Sequence, residues 1–135
     1  MTHEPSLEQA AEIFAALYLL GIGASHVLQP RVWVEFFAWM REKGPAGAFF
    51  EGLLSLGFGG MIVAFHDVWS GLPVIVTLIG WGQVLKGLVR LTAPQLSLRL
   101  YERARPERAW ELRVAGASAL ALSGLAAYTA LTRSG

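Results

Sequence analysis

Apolar residues gather into four long stretches, 7–28, 46–65, 72–91 and 114–131, and shorter segments between them hold most of the charge. A bilayer core is about 30 Å thick, so a spanning helix needs about 20 mostly apolar residues. Each stretch meets that length within a few residues. The pattern predicts an all-α fold: an integral membrane four-helix bundle forming one transmembrane domain over residues 1–135.

The boundaries carry local signals. Ser6-Leu7-Glu8-Gln9 reads as a capping box, with Ser6 accepting from the Gln9 amide and the Gln9 side chain returning the bond. Pro30 stops span 1, because it disfavours helical geometry at Gln29. Within 32–40, Trp33, Phe36, Phe37 and Met40 fall at i, i+3, i+4 and i+7 and make one apolar helical face. That piece is too short to span. It is expected to be a short interfacial helix between spans 1 and 2, the alternative being a helix packed on the bundle. Gly44-Pro45 starts span 2, and Pro73 falls in the first turn of span 3. Residues 94–108 are polar and basic, with leucines that fit neither helical nor strand period, and suggest a second interfacial segment. Residues 1–6 carry no Lys or Arg, so span 1 is expected to be retained and not removed as a secretory signal.

Hydrophobic residues make up 54% of the chain and charged residues 16%, against about 25% charged in soluble domains. A net charge of +1 argues against nucleic acid as a partner. The chain has no cysteine, which excludes disulfides, thiolate metal sites and thiol catalysis. No catalytic or cofactor motif stands out, and no cofactor or metal is expected.

Lys and Arg are distributed unevenly. Arg31, Arg41 and Lys43 lie in the first connection, and Arg90, Arg99, Arg103, Arg105, Arg108 and Arg113 lie around the third. The other side of a four-span topology carries only Arg133. The positive-inside rule then places the basic connections in the cytoplasm and both termini outside. Trp33, Trp39 and Trp110 at one boundary and Trp69 at the other are expected as an aromatic belt.

Lipid is as apolar as leucine, so helices in it need close packing of small residues. Each span has a candidate surface: Gly21, Gly23 and Ser25; Gly52, Ser55, Gly59 and Gly60; Gly80, Gly82 and Gly87; Gly116, Ala119, Ser123 and Gly124. Tight packing is the reading preferred over a glycine-lined path.

Charge inside a span is costly and by default suggests function. Glu51 and Lys86 each lie about five residues inside the basic boundary, about 7–8 Å deep at 1.5 Å per residue. Their helices are joined by a short turn, so a Glu51–Lys86 pair is expected. His26 is near the same end, and Gln83 and Arg90 share a helical face with Lys86. Glu51, Lys86, His26, Gln83 and Arg90 therefore form a candidate polar site for an anionic head group or polar ligand. The plainer reading is a structural ion pair, with Lys86 and Arg90 reaching up to the phosphates. At the other end stand Glu12, His66 and Asp67. A histidine can sense pH between 5 and 8, but the preferred reading is a clasp in which His66 and Asp67 bond the free backbone groups of the turn and Trp69 anchors it.

The strip His66-Asp67-Val68-Trp69, then Thr77-Leu78-Ile79-Gly80-Trp81 and Lys86-Gly87, with Pro94 after span 3, resembles a family of uncharacterised small four-span bacterial membrane proteins. Their pattern is H-[ND]-x-W followed by T-x-x-G-W-x-x-x-x-K-G. Upstream, Ser25-His26 and Pro30-Arg31-x-Trp33 are similar too. The resemblance covers most of spans 1–3 and fades over span 4; Asp67 stands where asparagine is usual. It implies a multi-pass protein of the bacterial plasma (inner) membrane and imports no activity. The function expected from sequence is a non-enzymatic integral membrane protein, an accessory or self-associating bundle whose partners are the lipid bilayer and a homo-oligomer or larger membrane complex. The alternatives are a small oligomeric transporter or channel with a polar site near the cytoplasmic end, and a quinone- or lipid-binding membrane subunit.

Overall fold

The computed structural model describes residues 4–133; His3 lies outside them. Six α-helices follow one another: α1 (Leu7–Leu28), α2 (Pro30–Glu42), α3 (Pro45–Phe65), α4 (Val74–Thr92), α5 (Pro94–Tyr101) and α6 (Ala109–Thr132). A 3₁₀ turn, Pro106–Arg108, leads into α6. The fold is all-α among the described residues, and α1, α3, α4 and α6 are long and apolar enough to cross a membrane. Proline opens α2, α3 and α5 in their first turns, where the missing N–H costs nothing.

The bundle is built from two tight antiparallel pairs, α1 with α6 and α3 with α4, that touch each other more lightly. The seam between α3 and α4 runs through glycine. A Cβ on Gly59 would lie 2.6 Å from the Gly80 carbonyl oxygen, and one on Gly87 would lie 2.8 Å from that of Gly52. Gly52 and Gly59 are seven residues apart, as are Gly80 and Gly87, so both approaches fall on one seam of 3.5-residue period. The α1–α6 seam has the same spacing. Gln9 Nε2 donates to the Ala130 carbonyl at 2.8 Å and Ser123 Oγ to that of Ala16 at 2.6 Å. Further along the same seam, a Cβ on Gly116 would meet the Gly23 carbonyl oxygen at 2.7 Å.

Two expectations change here. Ser6 does accept from the Gln9 amide at 3.1 Å, but the Gln9 side chain crosses to α6 and closes no capping box. Gly21, Gly60, Gly82 and Gly124 have open space where a Cβ would stand. These four glycines lie off the seams along which the paired helices approach each other.

The two pairs meet around Ala15 and Leu19 of α1, Phe58 and Ile62 of α3, Val76 of α4 and Ala126 of α6. Tyr18 and Phe58 stack there at 4.1 Å between ring centroids. A second small core, Met40, Ala48 and Tyr101, ties α2 and α5 to the start of α3. Large apolar side chains such as Leu17, Leu53, Leu85 and Leu131 point outward. Water would not tolerate so much apolar surface, and lipid would. The protein is compatible with a multi-pass membrane protein on length, composition and surface together.

Candidate functional site

Both candidate clusters sit at opposite ends of the bundle. At the end capped by α2 and α5, Glu51 is the hub. Its Oε1 meets Lys86 Nζ at 3.1 Å, and its Oε2 meets Arg90 Nε at 2.6 Å and accepts from the Tyr101 hydroxyl. Lys86 and Arg90 are one helical turn apart on α4, so both reach across the glycine seam to α3. Tyr101 comes from α5. Burial and the bonded carboxylate push its hydroxyl well above the usual phenol range, so it stays protonated and donates. Arg41 Nη1 holds the Tyr101 carbonyl at 3.1 Å, which fixes the end of α5 against α2.

Two cavities flank this hub. The first, of about 260 Å³, is lined by Lys86, Arg90, Arg103 and Arg108 against Glu51 and Glu111. Four cations face two carboxylates. Arg103 reaches Glu111 at 3.5 Å, and Arg108 makes no ion pair among the described residues. The second cavity, of about 210 Å³, lies between the two helix pairs and is mainly apolar, with Tyr18, Ile22, Trp33 and Phe58 in its wall. Phe37, Glu51 and Lys86 line both cavities, so the ionic hub is their shared wall.

The structure brings the predicted polar residues together around that wall in two groups. Glu51, Lys86 and Arg90 are in direct contact. His26 and Gln83 line the apolar cavity beside Lys86. His26 Nδ1 is 2.8 Å from the Ile22 carbonyl, and its ring stacks on Trp33 at 4.1 Å. Trp33 is thereby withdrawn from the belt expected of it: its indole N–H donates to Ser25 Oγ at 2.9 Å. Trp69 and Trp110 remain largely exposed. Tyr101, Arg103, Arg108 and Glu111 join the site without being among the polar-site residues expected from sequence. Their one signal is a run of arginines in a connection that also carries a tyrosine and apolar residues.

At the opposite end, Glu12 and His66 are both sealed from solvent, at 0% side-chain exposure. His66 Nε2 lies 2.9 Å from Glu12 Oε1, and Nδ1 lies 2.7 Å from Thr77 Oγ1. Arg133 covers Glu12 from the end of α6 and pairs with the same Oε1. Hydrogen bonding to Glu12 raises the Arg133 guanidinium further above its ordinary value. The clasp forms differently from expectation. His66 bonds side chains and not free helix-end backbone. Thr77 ties the turn instead, donating to the Val68 carbonyl at 2.8 Å. Asp67 accepts from the exposed Trp69 indole. Among the described residues, no three or more of His, Asp and Glu come together as a metal site would require.

No protein-family model, curated protein or solved structure matches the chain.

Proposed function

We propose that this is a non-enzymatic multi-pass membrane protein that binds an anionic amphiphile at the α2/α5 end of its bundle. The observation that carries the reading is the pair of cavities on either side of Glu51 and Lys86. One is cationic by four side chains to two, and the other is apolar and opens between the helix pairs. A phosphate-bearing head group suits the first, where Arg103 and Arg108 offer planar donors. An acyl chain suits the second, against Tyr18, Trp33 and Phe58. Glu51 keeps Lys86 and Arg90 in place when the site is empty and leaves the outer arginines to select the ligand.

The excess of Lys and Arg at this end supports a cytoplasmic orientation for it, and the motif resemblance supports a bacterial inner membrane. Lys43→Cys should then stay unlabelled by an impermeant thiol reagent on intact spheroplasts, while Ser70→Cys reacts.

Binding is tested on the detergent-purified protein by titration with phosphatidylglycerol or phosphatidylcholine, read as thermal stabilisation. The anionic lipid should stabilise and the zwitterionic one should not. The Arg103→Gln/Arg108→Gln double variant should weaken the anionic lipid by roughly 2 kcal/mol, about 30-fold, at roughly 1 kcal/mol per basic residue. Equal stabilisation by both lipids would remove the proposal.

A further inference from the structure

We propose that Glu12 and His66 form a proton-binding site: together they hold one proton more than a neutral imidazole and a carboxylate would. The assignment follows from counting donors. Thr77 Oγ1 has one hydrogen, and at 2.8 Å from the Val68 carbonyl that hydrogen is committed, because a carbonyl can only accept. Thr77 Oγ1 also accepts from the Val68 amide at 3.3 Å. His66 Nδ1, 2.7 Å away, must therefore carry a proton and donate to Thr77. Nε2 then faces Glu12 Oε1 at 2.9 Å with no proton left over from a neutral ring. Two lone pairs at that distance repel, and among the described residues no other donor bonds His66 Nε2. A second proton sits between the two atoms, on nitrogen as an imidazolium or on oxygen as a carboxylic acid.

The surrounding charges agree. Among the described residues, the charged groups facing the pair come from α1 and the end of α6. They are Glu12 itself, Arg133 on its oxygens, and Glu8 at the rim, 3.8 Å from Arg133. Asp67 turns its carboxylate to Trp69, Gln9 is taken up by Ala130, and α4 contributes only the Thr77 hydroxyl. Among these described groups two carboxylates face one arginine, and the extra proton balances them. The site lies where α1 of one helix pair meets the end of α3 of the other. Its proton is thus the polar tie between the pairs at that end, and removing it sets a lone pair against a carboxylate across their junction.

The first measurement is ring ¹⁵N NMR of the detergent-solubilised full chain carrying His3→Gln and His26→Asn, which leaves His66 as the sole imidazole. At about pH 7 Nδ1 should be protonated. The second proton should appear on Nε2, or as a carboxylic-acid infrared band absent from the Glu12→Gln variant. A single ring proton on Nε2, or a neutral ring beside an ionised Glu12, overturns the proposal. The second measurement needs no variant of Glu12. Above about pH 6.5 the wild-type folding equilibrium constant should fall by up to about tenfold per pH unit relative to His66→Gln, the slope of one proton held by the fold and released on unfolding. Parallel pH profiles for the two proteins would also overturn it.

Discussion

The two ends of this bundle solve the same problem, a carboxylate inside a membrane helix, in opposite ways. Glu51 is surrounded by Lys86, Arg90 and Tyr101, retains 12% exposure and borders two cavities. Glu12 is fully sealed, and each of its partners has its own position: His66 behind it, Arg133 over it. Redundant partners beside open space make a cluster that tolerates rearrangement when something enters. A sealed carboxylate with individually placed partners makes one that does not. The open end therefore suits binding, and the closed end suits holding the helix pairs in register.

The largest expected effect follows from the sealed end. Glu12→Leu leaves His66 and Arg133 without their shared acceptor. Breaking one partner of a buried pair costs about 3–5 kcal/mol, so unfolding in a denaturing-detergent titration should shift by that much. Glu51→Leu should cost less, roughly 1–2 kcal/mol, because Lys86 is 36% exposed and can turn toward head groups. Equal losses at the two positions would mean that the two carboxylates are held alike.

A third effect, at Lys86, is smaller. Taken as an isolated pair, Glu51 and Lys86 would compensate each other, and removing both would restore stability. With Arg90 and Tyr101 on the same carboxylate, Lys86→Met alone should cost less than about 1 kcal/mol. Lys86→Met combined with Glu51→Gln should not recover the loss, since Arg90 still lacks its anion. Full recovery in the double variant would show that Arg90 adds nothing. The smallest effect belongs to the rim of the closed end. Asp67→Asn keeps an acceptor for the exposed Trp69 indole and should stay within about 0.5 kcal/mol of the parent.

The four spans were legible because length and hydropathy alone define them, and α2 because its apolar face repeats at helical spacing. The α5 helix was not. It is eight residues long, opens on Pro94 and mixes leucine with polar residues on more than one face, so its periodicity disappears in so short a window. The missing helix hid Tyr101, whose hydroxyl reaches Glu51 only because α5 folds back over the start of α3. Lys86 and Arg90 were within reach of sequence reasoning, since one turn of α4 and one short connection fix their relation to Glu51. Glu12 was visible as a carboxylate in an apolar span, and His66 as a histidine at the same end. Their contact joins residues 54 apart, and Arg133 adds a partner 121 residues away. Such pairing is set by how α1, α3 and α6 assemble, which no local spacing encodes. The glycine surfaces divided for the same reason: Gly59 and Gly60 are adjacent in sequence, and only the seam decides which one meets α4.

Binding of an anionic head group at Arg103 and Arg108, with its chain beside Trp33, is open to a tryptophan-quenching measurement. A variant in which Trp39, Trp69, Trp81 and Trp110 are replaced by phenylalanine leaves Trp33 as the sole tryptophan. It is reconstituted in vesicles with a fixed fraction of lipid brominated on the acyl chain, carried either by phosphatidylglycerol or by phosphatidylcholine. Trp33 should be quenched more strongly by the brominated anionic lipid, and that excess should be lost with Arg103→Gln and Arg108→Gln. Equal quenching by the two brominated lipids would contradict it.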